Sequence, residues 1–222
     1  MGYGIKSYVL RAGRMSDAQR RSYETLAEGF IVPFAPEPVD LRRIFGNENP
    51  VTLEIGFGMG IATAMIAEDN PQKNYLGVEV HRPGIGRLLW EIEKRSVSNI
   101  RIIEYDAVEV LEKMIKPSSL AAFHIFFPDP WPKKRHHKRR LITRPFTDML
   151  AEKLCPGGYV SMVTDWADYG DWALAELGAT AGLKNRYAGF AEKQSWRPET
   201  KFERKGLLKQ HEVRELFFVK EE

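Results

Sequence analysis

The chain has 222 residues, 43% of them hydrophobic, and a net charge of only +3. That length suits one large domain with appendages better than two domains, and the apolar share is enough for a substantial core. A single cysteine, Cys155, excludes an intramolecular disulfide and a cysteine metal cluster; its Leu-Cys-Pro setting reads as packing. No run approaches the roughly 18 apolar residues of a membrane span. Lys6, Arg11 and Arg14 interrupt the region where a signal peptide would carry its apolar core. The expectation is a cytoplasmic protein with no membrane contact and no obligate protein partner.

Residues 1–22 are polar, Gly-dotted and basic, with Arg11, Arg14, Arg20 and Arg21 and no sustained apolar period. They read as a flexible arm, and residues 23–222 as a single domain. Prolines 33, 36, 38 and 50 mark a lead-in. From Val51 apolar runs alternate with helical periods. Strands are expected at 51–55, 74–80, 100–104, 120–127, 159–164 and 213–219. Helices are expected at 61–68, 84–94, 108–115, 146–154 and 167–181. Strand–helix alternation of this kind gives a mostly parallel sheet with helices on both faces, an α/β fold with right-handed crossovers.

The first strand ends in Glu54-Ile-Gly56-Phe-Gly58-Met-Gly60. Glycines allow a tight turn and close approach of a ligand. The dinucleotide fingerprint would need its third glycine one place later, at Ile61, and no Gly-Lys-Ser/Thr follows as in a phosphate-binding Walker loop. Acidic residues sit nearby in sequence. Glu79 closes the second strand and could accept from ribose hydroxyls. Asp106 ends the third strand and could meet an adenine amine. Glu54, beside the loop, would repel a pyrophosphate but suits an ammonium. An adenosine with a cationic amino-acid tail describes S-adenosyl-L-methionine; a dinucleotide, or no ligand, remains the alternative from these residues alone.

Residues 126–140 read FFPDPWPKKRHHKRR. An apolar strand stops at Pro128-Asp129-Pro130, since two prolines forbid its continuation. Asp129 is thereby placed on a stiff turn at the strand-end edge where open parallel sheets bind ligands. Trp131 follows, to stack on a base or cap the turn, and after Pro132 come eight residues, Lys133 to Arg140, of which six are Lys or Arg and two are His. Such a block suits a polyanion, or is a solvated basic loop. His136 and His137 have no credible further ligands, so a metal is not expected. Trp166 reads as packing, and His81 as an incidental surface residue.

With these motifs in view, the chain resembles class I methyltransferases, and more closely the bacterial tRNA (guanine-N7-)-methyltransferase family. The resemblance rests on Ser7-Tyr8-Val9, Arg11 and Gly13-Arg14-Met15, on EIGFGMG at 54–60, Gly77-Val78-Glu79, the block at 126–140, Thr164-Asp165-Trp166 and RPETKFE at 197–203. It implies a Rossmann-like, seven-stranded, mostly parallel sheet, with a cofactor half at about 50–130 and tRNA-binding elements at 131–145 and 195–211. It implies S-adenosyl-L-methionine as cofactor, bound by Glu54, Gly56, Gly58, Gly60, Glu79, Asp106 and Asp129, with Asp129 central to catalysis. It implies tRNA contacts from Lys133, Arg135, His136, His137, Lys138, Arg139, Arg140, Asp165, Thr200, Lys201, Phe202 and Glu203. The implied target is guanine forty-six of the variable loop, methylated at N7. The chain departs from the family where a Gly-His pair is usual, reading Gln210-His211. Rival readings are a methyltransferase for another substrate, an RNA-binding module without chemistry, and a NAD-dependent oxidoreductase.

Overall fold

A computed structural model describes residues 6–9, 13–200, 203–204 and 212–221. Arg11, Lys201, Phe202, Gln210 and His211 therefore lie outside the described residues.

Seven strands form one sheet: β1 (Val51–Ile55), β2 (Asn74–Val78), β3 (Ile100–Ile103), β4 (Leu120–Phe126), β5 (Leu154–Thr164), β6 (Leu183–Asn185) and β7 (Arg214–Lys220). Their order is β3-β2-β1-β4-β5-β7-β6. The first five are parallel, and β7 runs antiparallel to both β5 and β6. The strands at 51–55 and 74–78 are buried along their whole length. That is why they read as continuous apolar runs and not as alternations. The helices given by the described residues are α1 (Asp17–Phe30), α2 (Leu41–Phe45), α3 (Ile61–Asp69), α4 (Arg82–Arg95), α5 (Ala107–Lys113), α6 (Phe146–Lys153) and α7 (Ala167–Gly178). One apolar cluster joins Leu53, Phe123, Leu150 and Tyr169. A second joins Tyr75, Leu88, Leu89 and Ile100. The sheet is thus sandwiched between two cores, and the chain reverses direction of travel between β1 and β4. Ligands of open α/β sheets bind at the strand ends beside such a switch point.

Three features depart from the pattern expectations. First, the basic arm does not extend to residue 22, because α1 begins at Asp17. Ser16 and Gln19 close a reciprocal capping box over its first turn, satisfying backbone N–H groups that a helix start leaves open. Tyr23, Leu26 and Phe30 pack it onto the second core, and Arg21 pairs with Glu93 at 2.7 Å. Second, β5 starts at Leu154, five residues early. Leu120 pairs with Leu154 and Ala122 with Tyr159, so Pro156, Gly157 and Gly158 bulge out of the ladder and do not end it. Third, β6 is a three-residue edge strand with no apolar run to announce it.

Candidate active site

The glycine loop is set by its backbone. Gly56, Gly58 and Gly60 have φ of +71°, +58° and +66°, a left-handed region that side chains disfavour. Helix α4 comes close enough that a Cβ on Gly84 would lie 2.0 Å from the Gly58 carbonyl oxygen. Glu79 staples the loop in place. Its Oε2 accepts from the Gly58 N–H at 2.9 Å, and its Oε1 accepts from the Val80 and His81 N–H groups at 2.7 and 2.9 Å. A carboxylate has about four lone-pair sites, so with three backbone donors in place Glu79 still keeps room to accept from a ribose hydroxyl.

A cavity of about 740 Å³ opens over this loop, within the range of small-molecule sites. Glu54, Gly56, Gly58, Gly60, Glu79 and Asp129 all line it. Glu54 is 3% exposed, and its Oε2 has no hydrogen-bond partner. Burial pushes its carboxyl up to about 7; the Thr63 hydroxyl opposes this and the Glu79 charge adds to it. A buried carboxylate with an unpartnered oxygen, lining a cavity, is a ready seat for a cation. The cavity walls are mostly apolar, with Phe57, Met59, Ile61, Val78, Phe126 and Leu141 among them. Tyr105 stands at the wall and stacks on Phe34, with ring centroids 3.7 Å apart. His81 lines the same cavity and is half-buried, so it is no incidental surface residue.

Asp129 is exposed on the cavity rim. The turn that carries it is held between two unusual backbones, Phe127 at φ +52° and Trp131 at φ +46°. Non-glycine residues in that region store strain that neighbours must offset. Trp131 caps the turn. Its indole N–H donates to the Ser7 carbonyl at 2.9 Å, and the Arg139 guanidinium lies 3.9 Å above its ring. Arg139 also donates to the carbonyls of Lys6 and Tyr8 at 3.1 and 3.0 Å. Residues 7–9 are thereby drawn against the same cavity, which Ser7, Tyr8 and Val9 line.

The basic block forms a 3-10 helix over Lys134–Arg139. Side chains three apart eclipse in that geometry, and the block sorts accordingly. His136 and Arg139 fall on Trp131. His137 and Arg140 fall on Trp172. Arg135 and Lys138 face solvent, as do Lys133 and Lys134. Arg140 is 3% exposed and bonded to Pro130, Asp168 and His137, so it is not available to a phosphate as expected. His137 is likewise turned inward. Burial and the cations Arg135, Lys133, Arg139 and Lys138 all hold the His136 imidazole below its usual range.

Three further acidic residues stand outside the lining of this cavity. Asp106 caps α5, accepting from the Val108 and Glu109 N–H groups, and it pairs with Lys6 at 2.9 Å. That bond, against some desolvation, raises the Lys6 ammonium. Asp106 lines a neighbouring cavity of about 430 Å³, while Tyr105 and Ala107 on either side line the larger one. Glu203 is 2% exposed and doubly bonded to Arg197 at 2.7 and 2.8 Å. Burial alone would raise its carboxyl, but the Arg197 bonds and charge outweigh that and lower it. It is a structural partner and does not face the cavity. Its service is indirect, since its N–H donates to Thr200 Oγ1 at 3.0 Å, and Pro198, Glu199 and Thr200 do line the cavity. Asp165 is half-buried just past the end of β5, outside the cavity lining, and Trp166 beside it is 38% exposed and not packed as expected.

Sequence reasoning missed Ser7–Val9 as a cavity wall, and missed Tyr105, Leu141 and the 198–199 pair. The tripeptide Ser7-Tyr8-Val9 was visible only as part of a motif, with no physical cue to its place. No group of three or more potential metal ligands occurs among the described residues, and no described helix is long and apolar enough to cross a membrane.

Comparison with known proteins agrees with this geometry. Solved methyltransferases share the fold at low identity. The 16S rRNA methyltransferase KamB superposes with a TM-score of 0.57 at 15% identity, over 98% of this chain and 99% of that one. TrmN from Thermus thermophilus gives 0.54 at 16%, over 82% of this chain and 47% of that one. These place the sheet among class I methyltransferases. Residues 48–216 match a family model described as a putative methyltransferase. The chain is 53% identical to the tRNA (guanine-N(7)-)-methyltransferase of Paraburkholderia xenovorans strain LB400, over 97% of this chain and 83% of that protein. It is 49% identical to the enzyme of the same name from Nitrosospira multiformis, over 98% and 95%. With about half its residues shared along nearly its whole length, the chain belongs to the tRNA (guanine-N(7)-)-methyltransferase family.

Proposed function

We propose that this enzyme methylates N7 of guanine forty-six in the variable loop of tRNA. Methylation of tRNA guanine N7 with S-adenosyl-L-methionine is the chemistry of the family to which it belongs. The observation that carries the reading is the pairing of Glu54 and Asp129 in one cavity, one at the floor and one at the rim beside the exposed cations.

The orphaned Glu54 carboxylate fits the cofactor's ammonium, Glu79 retains one acceptor position for its ribose, and the apolar wall around Tyr105 and Leu141 fits its adenine. When bound, this cofactor supplies an already activated, electron-poor methyl group. Guanine N7 carries an in-plane lone pair and no proton, so no side chain need act as a general base. Asp129 accepts from the guanine edge and favours the positive charge that develops on the ring. Asp165, past the neighbouring strand end, assists; Glu203 does not, because Arg197 holds it. Lys133, Lys134, Arg135 and Lys138 contact tRNA phosphates, and much of the acceleration comes from placement. Extrusion of a paired guanine costs a few kcal/mol, which phosphate contacts offset.

The test is incubation with methyl-labelled cofactor and unmodified tRNA, followed by mapping of the labelled nucleotide. Label at N7 of guanine forty-six is expected. Label at another nucleotide would overturn the assignment of position, and label only in small molecules or protein would overturn the substrate.

A further inference from the structure

The turn carrying Asp129 has a keystone that its charge disguises. Arg140 belongs to the basic block, yet its side chain is 0% exposed. Its Nε donates to the Pro130 carbonyl at 3.0 Å, one residue past Asp129. Its Nη2 meets the Asp168 carboxylate and lies 3.1 Å from His137 Nε2. The guanidinium sits 5.1 Å from the ring centres of both Tyr169 and Trp172. Those rings are themselves fixed, because the Tyr169 hydroxyl accepts from the Ile142 N–H at 3.2 Å and the Trp172 indole donates to the Ile142 carbonyl at 2.7 Å. An unbroken set of contacts thus runs from α7 through Arg140 to the Pro130 carbonyl. The backbone it reaches is the one with left-handed residues on both sides of Asp129, a conformation that needs support from outside the turn.

We propose that Arg140 is a positioning residue for Asp129: its buried guanidinium holds the Pro130 carbonyl and so aims the carboxylate at the cavity rim. This rests on the role given to Asp129 above. The geometry uses what arginine offers, a planar fork that bonds a carbonyl and a carboxylate at once while lying against two aromatic rings. One nitrogen, Nη1, is buried with no partner.

The test separates aim from affinity. Arg140→Lys is expected to lower the single-turnover rate at saturating tRNA and cofactor about a hundredfold, the scale of an ångström's misplacement. Its tRNA dissociation constant, the salt slope of tRNA binding and the cofactor dissociation constant are expected to stay at wild-type values. Asp168→Asn, which removes only the exposed end of the clamp, should lower the same rate about tenfold, and it decides the matter alone if Arg140→Lys does not fold. In an Asp129→Asn background, Arg140→Lys should lower the residual rate by less than about twofold, since residues acting through one another are not additive. A weaker tRNA affinity with a shallower salt slope and an unchanged saturated rate would make Arg140 a phosphate contact and overturn the proposal. Wild-type rates in both clamp variants, or full additivity with Asp129→Asn, would also overturn it. A wild-type rate for Asp129→Asn alone would instead remove the role of Asp129 itself.

Discussion

The cofactor cavity and the cationic turn meet at Asp129 and are built on opposite plans. The cavity is made of strand ends, a stapled glycine loop and one buried carboxylate, and its shape is set by two packed cores. The turn is a single 3-10 helix with no buried residue of its own, whose position is set by rings and one buried arginine beyond it. Specificity for a small cation demands a rigid, desolvated seat. A polyanion needs only exposed charge at roughly the right place, with long-range attraction doing the rest. The two sites should therefore respond to different perturbations.

The largest expected effect lies at their junction. Asp129→Asn should lower the single-turnover rate at saturating cofactor about a thousandfold, the range of removing one preorganised charge-stabilising group, with cofactor affinity little changed. Rapid-quench measurement of methylated tRNA checks this, and a near-normal rate would dissolve the junction altogether.

Glu54→Gln should weaken cofactor binding about a hundredfold, as loss of a buried charged hydrogen bond does, and leave tRNA affinity alone. The cavity should also be pH-sensitive through Glu54. Burial holds the Glu54 carboxyl at about 7 against 4.5 in an unfolded chain. Between those values the folded, cofactor-free protein keeps a proton that the unfolded chain has released, so its stability falls as pH rises through this window. Affinity for a cationic ligand moves the other way, falling about tenfold for each pH unit below 7. Calorimetric titration between pH 5.5 and 7.5 reads this directly, and Glu54→Gln should flatten the profile.

On the other side, replacing Lys133, Lys134, Arg135 and Lys138 together by Ala should lower the slope of log affinity for tRNA against log salt by about 3. Cofactor binding should not change. A salt response equal to wild type would show that the exposed face of the turn is merely solvated. Smallest of all, Asp106→Ala removes the cap of α5 and should cost about 1 kcal/mol in urea unfolding.

The same contrast explains what could be read from the sequence. Strands at 51–55, 74–78 and 120–126 were legible because buried parallel strands are continuous apolar runs. Glu54 and Asp129 were legible because each stands at such a strand's end. Helix α1 was overlooked although Ser16 and Gln19 spell its capping box, because its apolar face begins only at Tyr23 and the arginines before it suggested a free arm. Arg140 and Glu203 were misplaced for a common reason. A charge in a sequence says nothing about direction, and each is neutralised by a partner far along the chain or across a turn: Asp168 for the first, Arg197 for the second. The one usable signal was period. In a 3-10 turn every third residue shares an edge, which groups 136 with 139 and 137 with 140.

Arg197 has a last consequence. It is 1% exposed and bonds Glu215 on β7 as well as Glu203, so the cavity wall at 198–200 is moored to a strand made long after the glycine loop. While the chain is still being synthesised, everything from residue 51 to Thr164 can assemble its parallel strands, yet the pocket has no fixed side there until Glu215 has left the ribosome. Closure of the cavity on that side thus waits on the antiparallel pairing of β7 with β5.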